Sequence, residues 1–283
     1  MNSISAWSAR QRYALSVATA NLLQALVMTG EWDEARRAHA EALNRDELAD
    51  DPTVASSAGL LYALSGDSAK LADALVTAQS EAESEDPQTR AATSTIHAVA
   101  AASTGDHRQA LHHARQALSY TGAISLRHDA VRWAWTIAAD AALALGDDTE
   151  LTGLMTVLDS HRPGHVPPAL RAERLRVRAR DLANKNDPAA TDTFDSATRA
   201  FRELGSPYHL AVVLLDSADH LFANEDSATA EGLAAEAHGL AHQLGAKPLI
   251  GRANRLISSL DQMLKPRSLS SSSNLVTLGD GTG

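Results

Sequence analysis

Residues 29–35, TGEWDEA, decide the fold of this chain. Gly30 closes a mildly apolar helical segment, and Glu31 follows it directly. Glycine readily adopts the left-handed backbone conformation in which many helices end. An acidic side chain after it lies beside the free N–H groups and the positive dipole end of a new helix. The stretch therefore predicts a helix, a tight turn and a second helix.

The same turn recurs along the chain at nearly constant spacing. After Gly30, three copies combine glycine with aspartate and two weaker copies lack the glycine: Gly66-Asp67, Gly105-Asp106, Gly146-Asp147, Asn186-Asp187 and Glu225-Asp226. The steps between successive copies are 36, 39, 41, 40 and 39 residues. A single helical hairpin cannot bury its own apolar face, so neighbouring hairpins stack. We therefore predict an all-α solenoid of about six hairpins.

Small and aliphatic residues mark the faces along which these hairpins are expected to pack. In each second helix two of them stand seven apart, on one helical face: Ala35 and Ala42, Leu71 and Ala78, Ala110 and Ala117, Leu151 and Leu158, Ala190 and Ala197, Ala230 and Ala237. In the first helices a small residue usually stands seven before the turn: Gly59, Ala98, Ala139, Ala179 and Ala218, with Leu23 in the first copy. Small side chains at these points let helix backbones approach closely.

The two ends of the chain differ in character. Residues 248–264 predict a last amphipathic helix that caps the solenoid, so the repeat domain is placed at 1–264. Residues 265–283 are rich in serine and glycine and predict a disordered tail. Within it, the apolar run 275–278 is a candidate docking peptide, and a plain tail is the alternative.

Composition excludes several classes of function. The net charge of −10 opposes general nucleic-acid binding, which depends on lysine and arginine. The absence of cysteine excludes disulfides and thiolate catalysis. No run reaches the roughly 18 apolar residues of a membrane span. Polar residues interrupt segment 13–28, so an amphipathic first helix is favoured over a signal peptide, and we expect a cytoplasmic protein.

Residues suited to catalysis or metal binding do not form a recognisable set. His238 and His242 stand four apart, but zinc needs three or four ligands, and no third lies nearby in the sequence. The chain has no nucleophile elbow of the G-x-S-x-G type. We therefore predict a protein that is not an enzyme and that binds no cofactor or metal.

Residues 30–35 (GEWDEA), Ala42-Leu43 and Asp51-Pro52 resemble the core of a tetratricopeptide repeat. Residues 105–110 and Ala117-Leu118 repeat the pattern, with a histidine in the aromatic place. The resemblance covers about residues 12–245, although these repeats are longer than the family's usual length of about 34 residues. It implies a right-handed superhelix whose first helices line a concave, ligand-binding groove.

Three phrases in the C-terminal part resemble the helical repeats of bacterial signalling ATPases, of the kind found in LuxR-type regulators and multidomain adenylate cyclases: 201–207 (FRELGSP), 234–237 (AAEA) and 244–249 (LGAKPL). This second resemblance implies a sensor or regulatory role. The chain lacks a G-x-x-x-x-G-K-[ST] phosphate loop, a cyclase domain and a helix-turn-helix after the repeats. Nucleotide or DNA activity would therefore belong to a partner or parent chain.

The groove face that the resemblance implies changes character along the chain. Positions six, ten and thirteen before each turn are small or apolar in the first copies. From the fourth copy onward they include five residues that we predict as a binding site: Trp133, Asp140, Arg176, Arg180 and Asp219. Segment 161–185 holds seven Arg or Lys residues and two acidic residues, in an otherwise acidic chain.

Two interpretations of this charged set stay open from the sequence. In the first, Arg180 bridges Asp140 and Asp219 on adjacent repeats and stiffens the stack. In the second, Arg176 and Arg180, four apart on one helical face, clamp a carboxylate or an acidic segment of a partner, with Trp133 as an aromatic anchor.

Three functions are therefore carried forward. The leading one is a non-catalytic scaffold that binds a peptide or helix of another protein in its groove. The second is the sensor or regulatory repeat region of a bacterial ATPase-type transcriptional regulator or adenylate cyclase. The third is a groove that binds a small ligand or carries out a reaction.

Overall fold

The computed structural model describes residues 3–80, 83–162 and 164–264, and within those ranges it contains fourteen helices and no strands. The helices are α1 Ser3–Thr29, α2 Trp32–Leu43, α3 Pro52–Ser65, α4 Ser68–Gln79, α5 Pro87–Ser103, α6 His107–Leu118, α7 Thr121–Ile124, α8 Asp129–Leu145, α9 Asp148–Asp159, α10 Pro168–Asn184, α11 Ala189–Leu204, α12 Pro207–Ala223, α13 Ser227–Leu244 and α14 Lys247–Leu264. The predicted all-α fold is confirmed. The predicted tail, 265–283, lies outside the described residues.

The helices pair into six consecutive hairpins and a final cap. The hairpins are α1–α2, α3–α4, α5–α6, α8–α9, α10–α11 and α12–α13, and each packs on the next. The short helix α7 falls between the third and fourth hairpins and accounts for the longest repeat step, which the turn pattern alone did not reveal. The cap α14 begins within one residue of its predicted start. None of the described helices is long and apolar enough to cross a membrane.

All six turns adopt the same left-handed backbone conformation. The four glycines have φ angles between 67° and 86°. The two weaker copies keep this conformation without glycine, with φ of 53° at Asn186 and 66° at Glu225. The aspartate that follows caps the next helix in several copies; for example, Asp106 accepts a hydrogen bond from the backbone N–H of Gln109 at 3.1 Å. Degenerate turn sequences therefore still specify the same geometry.

The small residues predicted at the helix contacts are buried where the hairpins meet. Gly59, Ala98 and Ala139 lie on the facing surfaces of α3, α5 and α8. A β-carbon built on Gly59 would overlap Cδ1 of Ile96 on the next first helix. A larger residue at this position would require the side chain of Ile96 to move.

The two ends of the repeat array contact each other: the sixth hairpin packs on the first, and the cap α14 packs on the second. Pro207, the first residue of α12, lies so close to the first turn that a β-carbon on Gly30 would overlap its ring. Pro248, near the start of α14, lies against the second turn, 3.0 Å from the position of a β-carbon on Gly66. The sixth and seventh first helices therefore contact the first and second hairpins. The inner face encloses a pocket instead of lining the open groove that the resemblance implies.

Candidate functional site: the central pocket

The first helices surround a pocket of about 330 Å³ at the axis of the superhelix, called the central pocket below. Its wall is built from α3, α5, α8, α10 and α12, with His107 and Ala110 of α6 and Pro248 of α14 at its sides. Ser103, His107 and the half-buried Asp140 lie at its exposed end, while Glu173 and Arg176 are buried. The volume is at the lower end of the range of about 300–1,000 Å³ typical of small-molecule sites.

One wall of the pocket is aromatic. Trp133 on α8 packs against His209, with ring centroids 5.0 Å apart, and against Tyr208, at 6.2 Å. Tyr208 also contacts Trp32 of the first hairpin, at 5.7 Å between centroids. Phe201 stacks on the far side of His209 at 5.5 Å. The closing contact of the superhelix and the pocket wall are therefore one continuous aromatic cluster.

The other wall is an ion-pair network centred on Arg176, which is 1% exposed. Its Nε donates to Oε2 of Glu173 at 2.7 Å, and one terminal nitrogen donates to Oδ2 of Asp216 at 2.8 Å. The other terminal nitrogen donates to both carboxylate oxygens of Asp140, at 2.9 and 2.8 Å. These three carboxylates come from α8, α10 and α12. All three nitrogens of this guanidinium are therefore used within the chain, and α10 is tied to both neighbouring first helices.

The network continues toward α14 through two more arginines. Arg180 donates to Oδ1 of Asp140 at 2.5 Å and lies 3.9 Å from Asp216. Arg252 on the capping helix donates to Asp216 at 2.7 Å and to Asp219 at 2.5 Å. Three arginines thus face four carboxylates, which leaves one surplus negative charge when all of them are ionised.

Burial and ion pairing act in opposite directions on the pKa values of the two buried carboxyl groups. Burial alone would raise the pKa of Asp216, but Arg180, Arg176 and Arg252 outweigh it and lower the pKa to about 2. Burial raises the pKa of Glu173, which Arg176 offsets only in part because Asp140 and Asp216 add to the increase. Glu173 is therefore the carboxylate that is least compensated by the protein itself.

His209 joins the aromatic wall to the charged wall. Its Nδ1 lies 2.8 Å from the hydroxyl of Ser206, and its Nε2 lies 3.8 Å from Oε1 of Glu173, which is beyond hydrogen-bond distance. Burial, together with the nearby positive charges of Arg176 and Arg132, lowers the pKa of His209 to about 3. The imidazole is therefore neutral at pH 7.

The structure brings together all five predicted site residues around the central pocket or its network. Asp140, Arg176 and Arg180 form direct ion pairs, and Trp133 lies on the facing wall. The predicted ion pair between Arg180 and Asp219 is wrong. Arg180 approaches Asp216 instead, and Asp219 is bound by Arg252. Asp219 is half-exposed and lies outside the central pocket. Of the two interpretations of the charged set, ion pairing between neighbouring repeats describes the geometry.

Five residues that the prediction omitted complete the arrangement: Glu173, Asp216, Arg252, Tyr208 and His209. The inner face was predicted from the positions six, ten and thirteen before each turn, and Asp216 stands one residue away from such a position. Arg252 is on the capping helix, which has no turn to count from. Tyr208 and His209 reach the pocket because α12 lies over the first hairpin, a long-range contact that no local pattern indicates. Only Glu173 and Arg176, three apart on one helix, carried a sequence signal of a buried ion pair.

The remaining histidines do not assemble a metal site among the residues that the structure describes. His97 and His113 stack at 5.3 Å between ring centroids on the outer side of α5 and α6. His238 and His242 contact each other at 4.5 Å. His112 also contacts His113, at 5.2 Å, but among the described residues none of these contacts forms a group that could hold a metal ion.

Comparison with known proteins adds no assignment to this geometry. No protein-family model matches the chain, and a search of curated proteins finds no relative.

Proposed function

We propose that this chain is a non-catalytic binding protein whose ligand is a small molecule held in the central pocket. One observation carries the proposal: the contacts of Pro207 and Pro248 with the first two turns close the inner face around a pocket of about 330 Å³. Trp133 and the buried pair Glu173 and Arg176 give that pocket an apolar wall and a polar wall, the composition typical of small-molecule sites.

The charges of the pocket wall favour a small ligand over an acidic segment of a partner protein. Such a segment would have to compete with three carboxylates that already hold Arg176.

The experiment is a fragment screen by saturation-transfer NMR on the full chain. Val99 lines the pocket and is 5% exposed, so Val99→Trp is expected to fill the pocket and abolish the signals of specific fragments. Val76 is 77% exposed, on the outer face of α4, and Val76→Trp is the matched control that is expected to retain them. Circular dichroism verifies that both variants are folded. Fragments that bind all three proteins equally, or no binding fragment at all, would contradict the proposal.

A second candidate function is the protein-interaction scaffold, with a partner that inserts one side chain. The exposed end of the pocket, at Ser103, His107 and Asp140, favours this candidate because it gives a partner's side chain an entry. Affinity capture by wild type and Val99→Trp, followed by mass spectrometry, tests it. A partner captured by wild type and Val76→Trp, and lost with Val99→Trp, would support insertion into this pocket.

A sensor role in a larger signalling protein is compatible with the same pocket. Tyr208 belongs both to the pocket wall and to the contact with Trp32 that closes the superhelix. A bound ligand would therefore stabilise the closed arrangement of the first and sixth hairpins. We expect a fragment that binds the pocket to raise the melting temperature of the whole chain, as any ligand of the native state does.

A further inference from the structure

The polar wall of the central pocket has one oxygen that the protein leaves without a donor. Glu173 is 4% exposed, and its Oε2 accepts from Arg176. Its Oε1 accepts no hydrogen bond from the residues that the structure describes, and the nearest nitrogen with a possible proton, Nε2 of His209, is 3.8 Å away. This oxygen is not fully enclosed by protein, so it is open to the pocket that Glu173 lines. A positively charged group of a ligand in the pocket can contact it.

The charge balance around the pocket indicates the sign of that ligand. With all four carboxylates ionised, the network of Arg176, Arg180 and Arg252 carries one surplus negative charge. Arg132, the other arginine close to His209, is paired with Asp129 and adds no net charge. An anionic ligand would meet this surplus and would find the guanidinium of Arg176 already engaged at all three nitrogens. A cationic ligand beside Glu173 would neutralise this surplus negative charge.

The aromatic wall suits the same class of ligand. Trp133 and Tyr208 pack against each other, with ring centroids 6.2 Å apart and planes at 53°, and both line the pocket. The faces of tryptophan and tyrosine attract cations, most strongly where water is excluded. His209, neutral for the reason given above, adds no repulsion.

We propose that the central pocket takes a compact organic cation, an ammonium-bearing molecule whose charged group contacts Oε1 of Glu173 beside Trp133 and Tyr208. This inference rests on the small-molecule binding proposed above and names its ligand class. The volume of about 330 Å³ restricts the ligand to a small molecule.

The experiment compares choline with its neutral carbon isostere, dimethylbutanol, in ligand-observed NMR titrations of the full chain. The two probes have nearly the same shape and differ in charge. Wild type is expected to bind choline on the order of tenfold more tightly than the isostere. Glu173→Gln keeps the shape of the side chain and is expected to remove that preference. Glu236→Gln, a glutamate paired with Arg202 on the outer surface, is the matched control and is expected to keep it.

Each other outcome has a defined meaning. If the isostere binds as tightly as choline, or if only neutral or anionic fragments bind, the cation inference is overturned and small-molecule binding stands. If no probe or fragment binds, both proposals fall. Should Glu173→Gln fail to fold, Asp140→Asn replaces it, because Asp140 is partly exposed at the pocket opening. That variant is expected to weaken choline binding about threefold, and an unchanged affinity would overturn the inference.

Discussion

The last three hairpins differ from the first three by a buried charge network, which is added to the small-residue contacts that both halves share. In the first half, first helices meet through small residues such as Gly59 and Ala98, joined by neutral links such as the hydrogen bond from Gln24 to Ser57 at 3.2 Å. In the second half, Arg176 holds three first helices through carboxylates. Apolar contacts lose stability in small steps, whereas a buried charge network fails as a unit once one member is removed.

The largest expected effect tests that difference directly. Arg176→Met retains the bulk of the side chain but leaves Glu173 and Asp216 buried without their shared cation. We expect the free energy of unfolding to fall by about 3–5 kcal/mol, the usual cost of breaking a buried ion pair on one side. Urea unfolding followed by circular dichroism measures it. A loss below 1 kcal/mol would mean that the network contributes no more than surface ion pairs do.

The second expected effect is a dependence of the free energy of unfolding on pH, which arises from His209 in the charged half. The pKa of His209 is about 3 in the folded chain and about 6.5 when unfolded. The unfolded state therefore binds the proton more strongly, and stability is lost as the pH falls from about 6.5 toward 3. Between pH 7 and pH 5 this group alone should remove about 2 kcal/mol.

Urea titrations at both pH values, with wild type and His209→Asn, isolate that contribution. Asparagine retains an acceptor for the Ser206 hydroxyl but does not titrate, so the variant should lose less stability on acidification. His112→Asn, at an exposed position on α6, serves as the control. An identical pH dependence in wild type and His209→Asn would contradict the assignment.

The third effect addresses the apolar half. Gly59→Ala gains about 1 kcal/mol of helix propensity but places a methyl group against Cδ1 of Ile96. Overpacking of a core costs about 1–3 kcal/mol, so we expect a net loss of about 0–2 kcal/mol in thermal or urea unfolding. Gly232→Ala, on α13 with nothing within 4 Å of the added carbon, is the matched control and should stabilise the chain. Equal changes in the free energy of unfolding for both variants would show that α3 and α5 can move apart without loss of stability.

The smallest effect shows that burial, rather than charge alone, distinguishes the two halves. Arg202 and Glu236 form an ion pair at 2.7 Å on the surface of the charged half, with both side chains at least 40% exposed. Arg202→Met should change the free energy of unfolding by less than about 1 kcal/mol. A loss similar to that of Arg176→Met would remove the contrast between buried and exposed pairs.

Local chemistry allowed most of the fold to be predicted, and the limits of the prediction have a physical cause. Turns at Gly30 through Glu225 are specified by backbone conformation and capping, which act within a few residues. The inward charges on α8 and α10 followed from helical periodicity. The partners Asp216 and Arg252, and the pocket wall at Tyr208, depend on how tightly the superhelix curves. That curvature results from small rotations at every hairpin contact, and the sequence expresses no single signal for it.

The contact between Pro207 and the turn at Gly30 has a consequence for folding. In an open array of repeats, each unit contacts only its neighbours, and the terminal units unfold independently of the centre. Here the sixth hairpin is held by the first, so fraying at either end removes contacts from both ends of the chain. Folding therefore requires a late, long-range docking step between distant segments. Once docked, the chain should unfold in one concerted transition, with the terminal hairpins as resistant to hydrogen exchange as the central ones.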